Sequence, residues 1–101
     1  MANFNKYAFV SEFKESFKSE IDNGNFIDVY EFLNETIDNE VIYYADCFAI
    51  VSELHLTEFE GYELGTATNI SQLAYFGLYD YCMDEIDFSE LETYKEDKEN
   101  E

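Results

Sequence analysis

Carboxylates are the residues of this chain whose type and spacing could do chemistry. Asp80, Asp84 and Asp87 stand at i, i+4 and i+7, with Glu85 beside them. Asp28, Glu31, Glu35 and Asp38 repeat that spacing upstream. Four residues of helix rise about 6 Å, so each set reads as a row of negative charge on one helical face. Duplex DNA carries one charge per roughly 1.7 Å of axis, counting both strands. Carboxylates one helical turn apart therefore recur on the scale of phosphates along a strand. Paired carboxylates also serve acid–base catalysis. With 24 Asp and Glu in the chain, such a pair can be drawn almost anywhere and identifies nothing.

Other chemistry finds little support. His55 is the only histidine, and Ser52, three residues before it, does not make a triad with it. A surface role is the plainer reading of His55. The run Gly61-Tyr62-Glu63-Leu64-Gly65 lacks the Lys and the helix start of a phosphate loop. Asp22-Asn23-Gly24-Asn25 resembles part of a calcium loop, but the following positions are apolar or wrongly spaced. Cys47 and Cys82 fit no zinc or CxxC spacing. Each lies in an apolar run and reads as a buried thiol; a disulfide between them is the alternative. No metal, cofactor or catalytic residue is expected.

The distribution of the opposite charge sharpens the picture. The five lysines are Lys6, Lys14, Lys18, Lys95 and Lys98, and there is no Arg. From Ser19 to Tyr94 there are 18 acidic residues and no lysine. The net charge is −19. Unpaired like charges repel and destabilise a compact state, so a strongly basic surface is the natural user of the field. Ten Phe and nine Tyr within 47% hydrophobic residues supply a core despite that charge. At 101 residues one domain is expected, with residues 1–94 as its body and 95–101 as a flexible charged tail. No apolar run of 18 residues exists, so no membrane span is expected. Met1 to Phe13 lacks the apolar run of a leader.

The elements that must position the carboxylates follow from apolar spacing. Phe9, Phe13, Phe17 and Ile21 predict a helix over about Asn3 to Ile21, stopped by Asn23-Gly24-Asn25. Phe26, Val29, Tyr30 and Leu33 predict a second, over about Asn25 to Thr36. Val41, Tyr44, Ala45, Phe48 and Ser52, widened by Cys47, Val51 and Leu54, predict a third, over about Asn39 to Leu54. His55 to Thr68 reads as an irregular acidic loop with a short extended piece. A long fourth helix should start near Thr68 or Asn69 and run to about Phe88 or Leu91. The fold class is thus all-α, with four helices. Gly77 in mid-helix costs about 1 kcal/mol relative to Ala, and close packing by a neighbouring helix or a second subunit is its expected reason. Leu73, Ala74, Gly77, Leu78 and Tyr81 are accordingly the expected tight-packing or dimer contacts.

Tyr43-Tyr44-Ala45-Asp46-Cys47-Phe48, followed by Thr57-Glu58-Phe59-Glu60, resembles the middle of the Ocr-like phage antirestriction proteins. The close match covers about 20 residues, and the general order of parts extends over most of the chain. The resemblance implies a helical protein that dimerises into an elongated mimic of B-form DNA and blocks type I restriction–modification enzymes. It carries Asp46 and Glu60 over as acidic positions, and Tyr43, Tyr44 and Phe48 as structural ones. The chain departs from that pattern in being shorter, in the lysines of its tail, and in a nearly neutral first helix.

Together these readings give a non-enzymatic DNA mimic acting in the host cytoplasm, most simply as a homodimer. Its partner is a basic DNA-binding defence protein of the restriction–modification or BREX kind, with no direct contact to nucleic acid or membrane. The expected partner-binding acids are Asp28, Glu31, Glu35, Asp38, Asp46, Glu58, Glu60, Glu63, Asp80, Asp84, Glu85 and Asp87. The alternative is an immunity or antitoxin protein that blocks one basic nuclease toxin.

Overall fold

The computed structural model describes residues 4–56, 58–59, 62–63 and 67–101; at 58–59, 62–63, 67 and 68 it is the backbone that is described. The chain is helical: α1 (Lys6–Asp22), α2 (Val29–Glu40), α3 (Tyr44–Glu53), α4 (Ala67–Glu85) and α5 (Phe88–Glu99). Between α3 and α4 lies a minimal antiparallel hairpin, β1 (Glu58–Phe59) and β2 (Tyr62–Glu63), with Glu58 opposite Glu63 and Phe59 opposite Tyr62.

Local chemistry sets most helix ends. Asn5 caps α1, its side-chain oxygen accepting from the Ala8 N–H at 2.9 Å. At the other end Gly24 takes a φ of 86°, a left-handed conformation that glycine adopts without a Cβ penalty. The Asn25 N–H then reaches back to the Glu20 carbonyl and the Gly24 N–H to that of Ile21, closing a Schellman turn. Asp28 caps α2, accepting from the N–H groups of Tyr30 and Glu31. His55 ends α3 with a φ of 55°, the left-handed position that glycine usually takes. It is exposed, as expected of a surface histidine.

Among the described residues five helices stand where four were expected, because the long last helix is broken. Asp87 adopts an extended conformation, and its carboxylate accepts from the Glu90 N–H at 3.2 Å, so it caps a new helix. Ile86 and Phe88 on either side are both buried, which anchors the corner. The segment read as a solvated tail is helical through Glu99. In α2 the buried stripe is Val29, Leu33 and Ile37; Phe26 lies before the helix and is exposed.

The core takes Phe9, Phe13, Phe17 and Ile21 from α1, and Ile70, Leu73, Ala74, Leu78 and Cys82 from α4. Residues of α2, α3 and α5 complete it. Truncating one of its buried Phe to Ala is worth about 3–5 kcal/mol. α4 packs on α3 and α2, and α1 packs on α5 and α2. Phe32 of α2 meets Phe13 and Phe17 of α1 at 5.6 and 6.1 Å. The Tyr75 hydroxyl donates to Asn34 Oδ1 at 2.8 Å, joining α4 to α2. The molecule measures 50 × 26 × 20 Å with a radius of gyration of 14.8 Å, above the roughly 13 Å of a compact chain of this length.

α3 buries only the widening side of its expected stripe. Its buried residues are Cys47, Ile50 and Val51, while Tyr44, Ala45, Phe48 and Ser52 are exposed. Both faces of this short helix carry apolar residues, so periodicity alone could not select the inner one. Gly77 is closely packed, as expected, but by the segment after α3 and not by a helix: a Cβ there would run into Leu56 Cδ1, with Leu56 Cγ and Cδ2 at 3.3 Å.

Candidate functional site

The carboxylates proposed from spacing are on the surface, but the rows are shorter than their sequence positions suggest. On α2, Glu31, Glu35 and Asp38 are exposed within the helix. Asp28, the first member of that row, sits outside it as the cap, with its carboxylate oxygen engaged by two backbone N–H groups. On α4, Asp80, Asp84 and Glu85 are exposed near the C-terminal end. Asp87 is not the next member of their row, because it caps α5. Asp46 lies in the first turn of α3 and is half-buried. Glu58 and Glu63 are paired in register across the hairpin, and Glu60 lies outside the described residues.

The lysines occupy different ground. Lys6, Lys14 and Lys18 are on α1; Lys95 and Lys98 are on α5. Lys18 Nζ meets Glu90 Oε1 at 3.3 Å, and Lys98 Nζ meets Asp22 Oδ1 at 3.7 Å. Both pairs cross from α1 to α5. The Tyr94 ring lies beneath both ammonium groups, at 5.4 and 5.6 Å, within cation–π reach. Its hydroxyl donates to Asp22, and that hydrogen bond holds the Tyr94 pKa up. Lys6 approaches the rings of Tyr7 and Tyr81. No pattern in the sequence joins Lys18 to Glu90 or Tyr94 to Asp22, each pair 72 residues apart.

Of the two roles expected of Leu73, Ala74, Gly77, Leu78 and Tyr81, burial supports tight packing within the chain. Leu73, Ala74 and Leu78 are fully buried within the single chain, Gly77 is filled by Leu56, and Tyr81 is half-buried. Side chains that are already interior have no surface to offer a second copy. The residues carried over as structural are the exposed ones: Tyr43 at 67%, Tyr44 at 50% and Phe48 at 40%, with Ile42 at 66%. Tyr44 and Phe48 meet edge to face at 4.5 Å. This cluster at the start of α3 is the main apolar feature missed by spacing, although the run Ile42-Tyr43-Tyr44 was its visible signal.

Both cysteines are free and buried. Burial pushes the Cys82 thiol up to about 12 and raises that of Cys47. The thiolate is the reactive form, so neither is prepared as a nucleophile. Among the described residues no group of three or more His, Cys, Asp or Glu could hold a metal ion. No helix there is long and apolar enough to cross a membrane. The arrangement offers a field of exposed carboxylates on α2 and α4 and an apolar cluster on α3. Comparison with family models, with curated proteins and with solved structures finds no match to this chain.

Proposed function

We propose that this protein is a non-enzymatic DNA mimic that occupies the DNA-binding groove of a host defence enzyme, of the type I restriction–modification or BREX kind. One observation carries the reading: α2, α3 and α4 hold nine acidic residues and no cation, on a body 50 Å long. That length corresponds to about 15 base pairs at 3.4 Å per step. Lys and Arg that bind phosphate would pair with Glu31, Glu35, Asp38, Asp80, Asp84 and Glu85. The mimic presents no base edges, and base edges are where sequence is read, so it competes with DNA of any sequence. We assign it to the host cytoplasm, where such enzymes act. A homodimer fits this reading, with Ile42, Tyr43, Tyr44 and Phe48 as the contact in place of the buried α4 residues.

The test is competition. A labelled duplex bound to a type I restriction complex should be displaced by the protein, and less effectively as salt rises. Simultaneous binding of both to one site rules the mimic out.

One observation favours the alternative of an immunity protein against a single basic nuclease. The exposed Ile42–Phe48 cluster could serve as the kind of aromatic anchor that dominates specific interfaces. Breadth separates the two readings. A mimic inhibits several unrelated DNA-binding proteins, whereas an immunity protein binds one. Light scattering adds a second criterion, since a dimer would cover that cluster.

A further inference from the structure

A small cleft opens where α1 enters the fold. Phe4, Asn5, Ala8, Phe9, Glu12 and Glu40 line it, and its volume is about 220 Å³. That is below the roughly 300–1,000 Å³ of pockets that take whole ligands and suits one side chain. Its walls are of two kinds. The rings of Phe4 and Phe9 stand 5.6 Å apart at 47°; Phe9 is buried and Phe4 half-buried, so the pair is held from behind. Glu12 from α1 and Glu40 from the end of α2 add carboxylates.

Those carboxylates are not committed to the fold. Among the described residues the ion pairs go to Glu90, Asp22 and Glu101, and no side-chain hydrogen bond ends on Glu12 or Glu40. Burial holds the Glu40 carboxyl above its ordinary range, and the charges of Asp46 and Glu12 push it further the same way. Asn5 is partly engaged, its oxygen accepting from the Ala8 N–H. A partly exposed aromatic face, that of Phe4, beside two anions calls for a planar cation. A guanidinium stacks on rings and meets carboxylates in a bidentate fork. An ammonium is more strongly hydrated and matches that fork poorly. Calcium or magnesium would need a shell of oxygens, which two phenyl rings do not supply.

We propose that this cleft receives an arginine side chain of the partner, with the half-buried Phe4 ring as its stacking face, Phe9 backing that ring, and Glu12 and Glu40 as its carboxylate ligands. The assignment rests on the reading of a basic partner and gives that partner a specific contact in addition to the general field. It places the contact where the start of α1 meets the end of α2.

The test needs no identified partner. Nitrogen-15 NMR spectra are recorded while capped arginine amide is titrated into the intact protein, with capped lysine amide as the comparison. Saturable shifts confined to residues 4–12 and the neighbourhood of Glu40 are expected. Glu12→Gln with Glu40→Gln should weaken that binding about tenfold, and Phe4→Ala should weaken it without changing any charge. Glu92→Gln with Glu99→Gln, two exposed acids of α5, should leave it unchanged. Shifts spread over every acidic helix would overturn the proposal. So would equal losses from the two pairs of Gln variants, or capped lysine binding as tightly as arginine. Spectral dispersion reports folding of each variant in the same experiment. DNA competition is a separate readout: its failure removes the mimic and leaves the arginine cleft standing, whereas failure of the titration removes only the cleft.

Discussion

α1 and α5 together carry nine acidic residues: Glu12, Glu15, Glu20 and Asp22, then Glu90, Glu92, Glu96, Asp97 and Glu99. α2, α3 and α4 also carry nine. The first pair of helices holds all five lysines and the second set holds none. The cations are therefore placed rather than scattered. Lys18 and Lys98 both bridge the boundary between the first and last helices, a contact between distant parts of the chain. The cation-free helices are held by other means: a shared apolar core and the neutral Tyr75–Asn34 hydrogen bond. Self-repulsion is relieved at one seam and left in force over the other helices.

The largest test of that contrast is functional. Neutralising Glu31, Glu35, Asp38, Asp80, Asp84 and Glu85 together should weaken binding to a DNA-groove target about 100-fold. Each exposed pair contributes about 0.5 kcal/mol, and 1.4 kcal/mol is tenfold. Any one of the six changes should move affinity little. Neutralising six acids of α1 and α5 instead, at Glu15, Glu20, Glu90, Glu92, Glu96 and Asp97, should cost less than tenfold. Equal losses in the two sets, measured by titration calorimetry, would mean that total charge matters and placement does not.

A second test separates acids that build from acids that only repel. Asp28→Ala removes a cap and should destabilise the fold by about 1 kcal/mol, although it also removes a charge from the crowded face. Glu35→Gln should stay within about 0.5 kcal/mol of the parent. Urea unfolding decides between them, and a stabilised Asp28→Ala would show that repulsion outweighs capping there.

Salt should then divide the two regions. Raising ionic strength from low to physiological shortens the Debye length to about 8 Å, so the parent should melt higher as repulsion is screened. Asp22→Asn, which weakens the Tyr94–Lys98 cluster, should lower the melting temperature by about 2 °C at low salt and by less at high salt. A parent that melts lower with added salt would show that seam attraction dominates.

The smallest effect concerns a single titration. Glu40 has a folded-state pKa above its unfolded value, so the folded protein holds that proton more tightly. Its favourable contribution is fully present below the unfolded carboxylate pKa and is lost as pH rises through the raised folded value. Glu40→Gln should therefore stabilise the protein at neutral pH and flatten its stability profile just above the ordinary carboxylate range. A profile unchanged by the substitution would place the crowding elsewhere.

Helix content, the stop at Gly24, the buried thiols and the exposed acids were legible in the sequence, because each follows from local spacing or backbone preference. The break at Asp87 was not, since an acidic residue in a charged run looks the same whether it extends a row or caps the next helix. Its signal was the pair Ile86 and Phe88 flanking it, which lock a corner when both are buried. The outward face of α3 was hidden for another reason: Tyr44 and Phe48 satisfy a helical stripe as well as Cys47, Ile50 and Val51 do. The lysine seam and the α1 cleft depend on contacts between residues far apart in the chain, to which periodicity is blind.

The molecule's length has one more consequence. A net charge of −19 along 50 Å amounts to about one charge per 2.6 Å, approaching the roughly 1.7 Å of duplex DNA. A body so densely charged gathers a cloud of sodium or potassium ions around it. When it meets a basic groove, ions leave this cloud as well as the groove's own anions, and their gain in freedom drives association at low salt. A steep linear fall of log affinity with log salt concentration would then be a property of the protein itself, without any nucleic acid present.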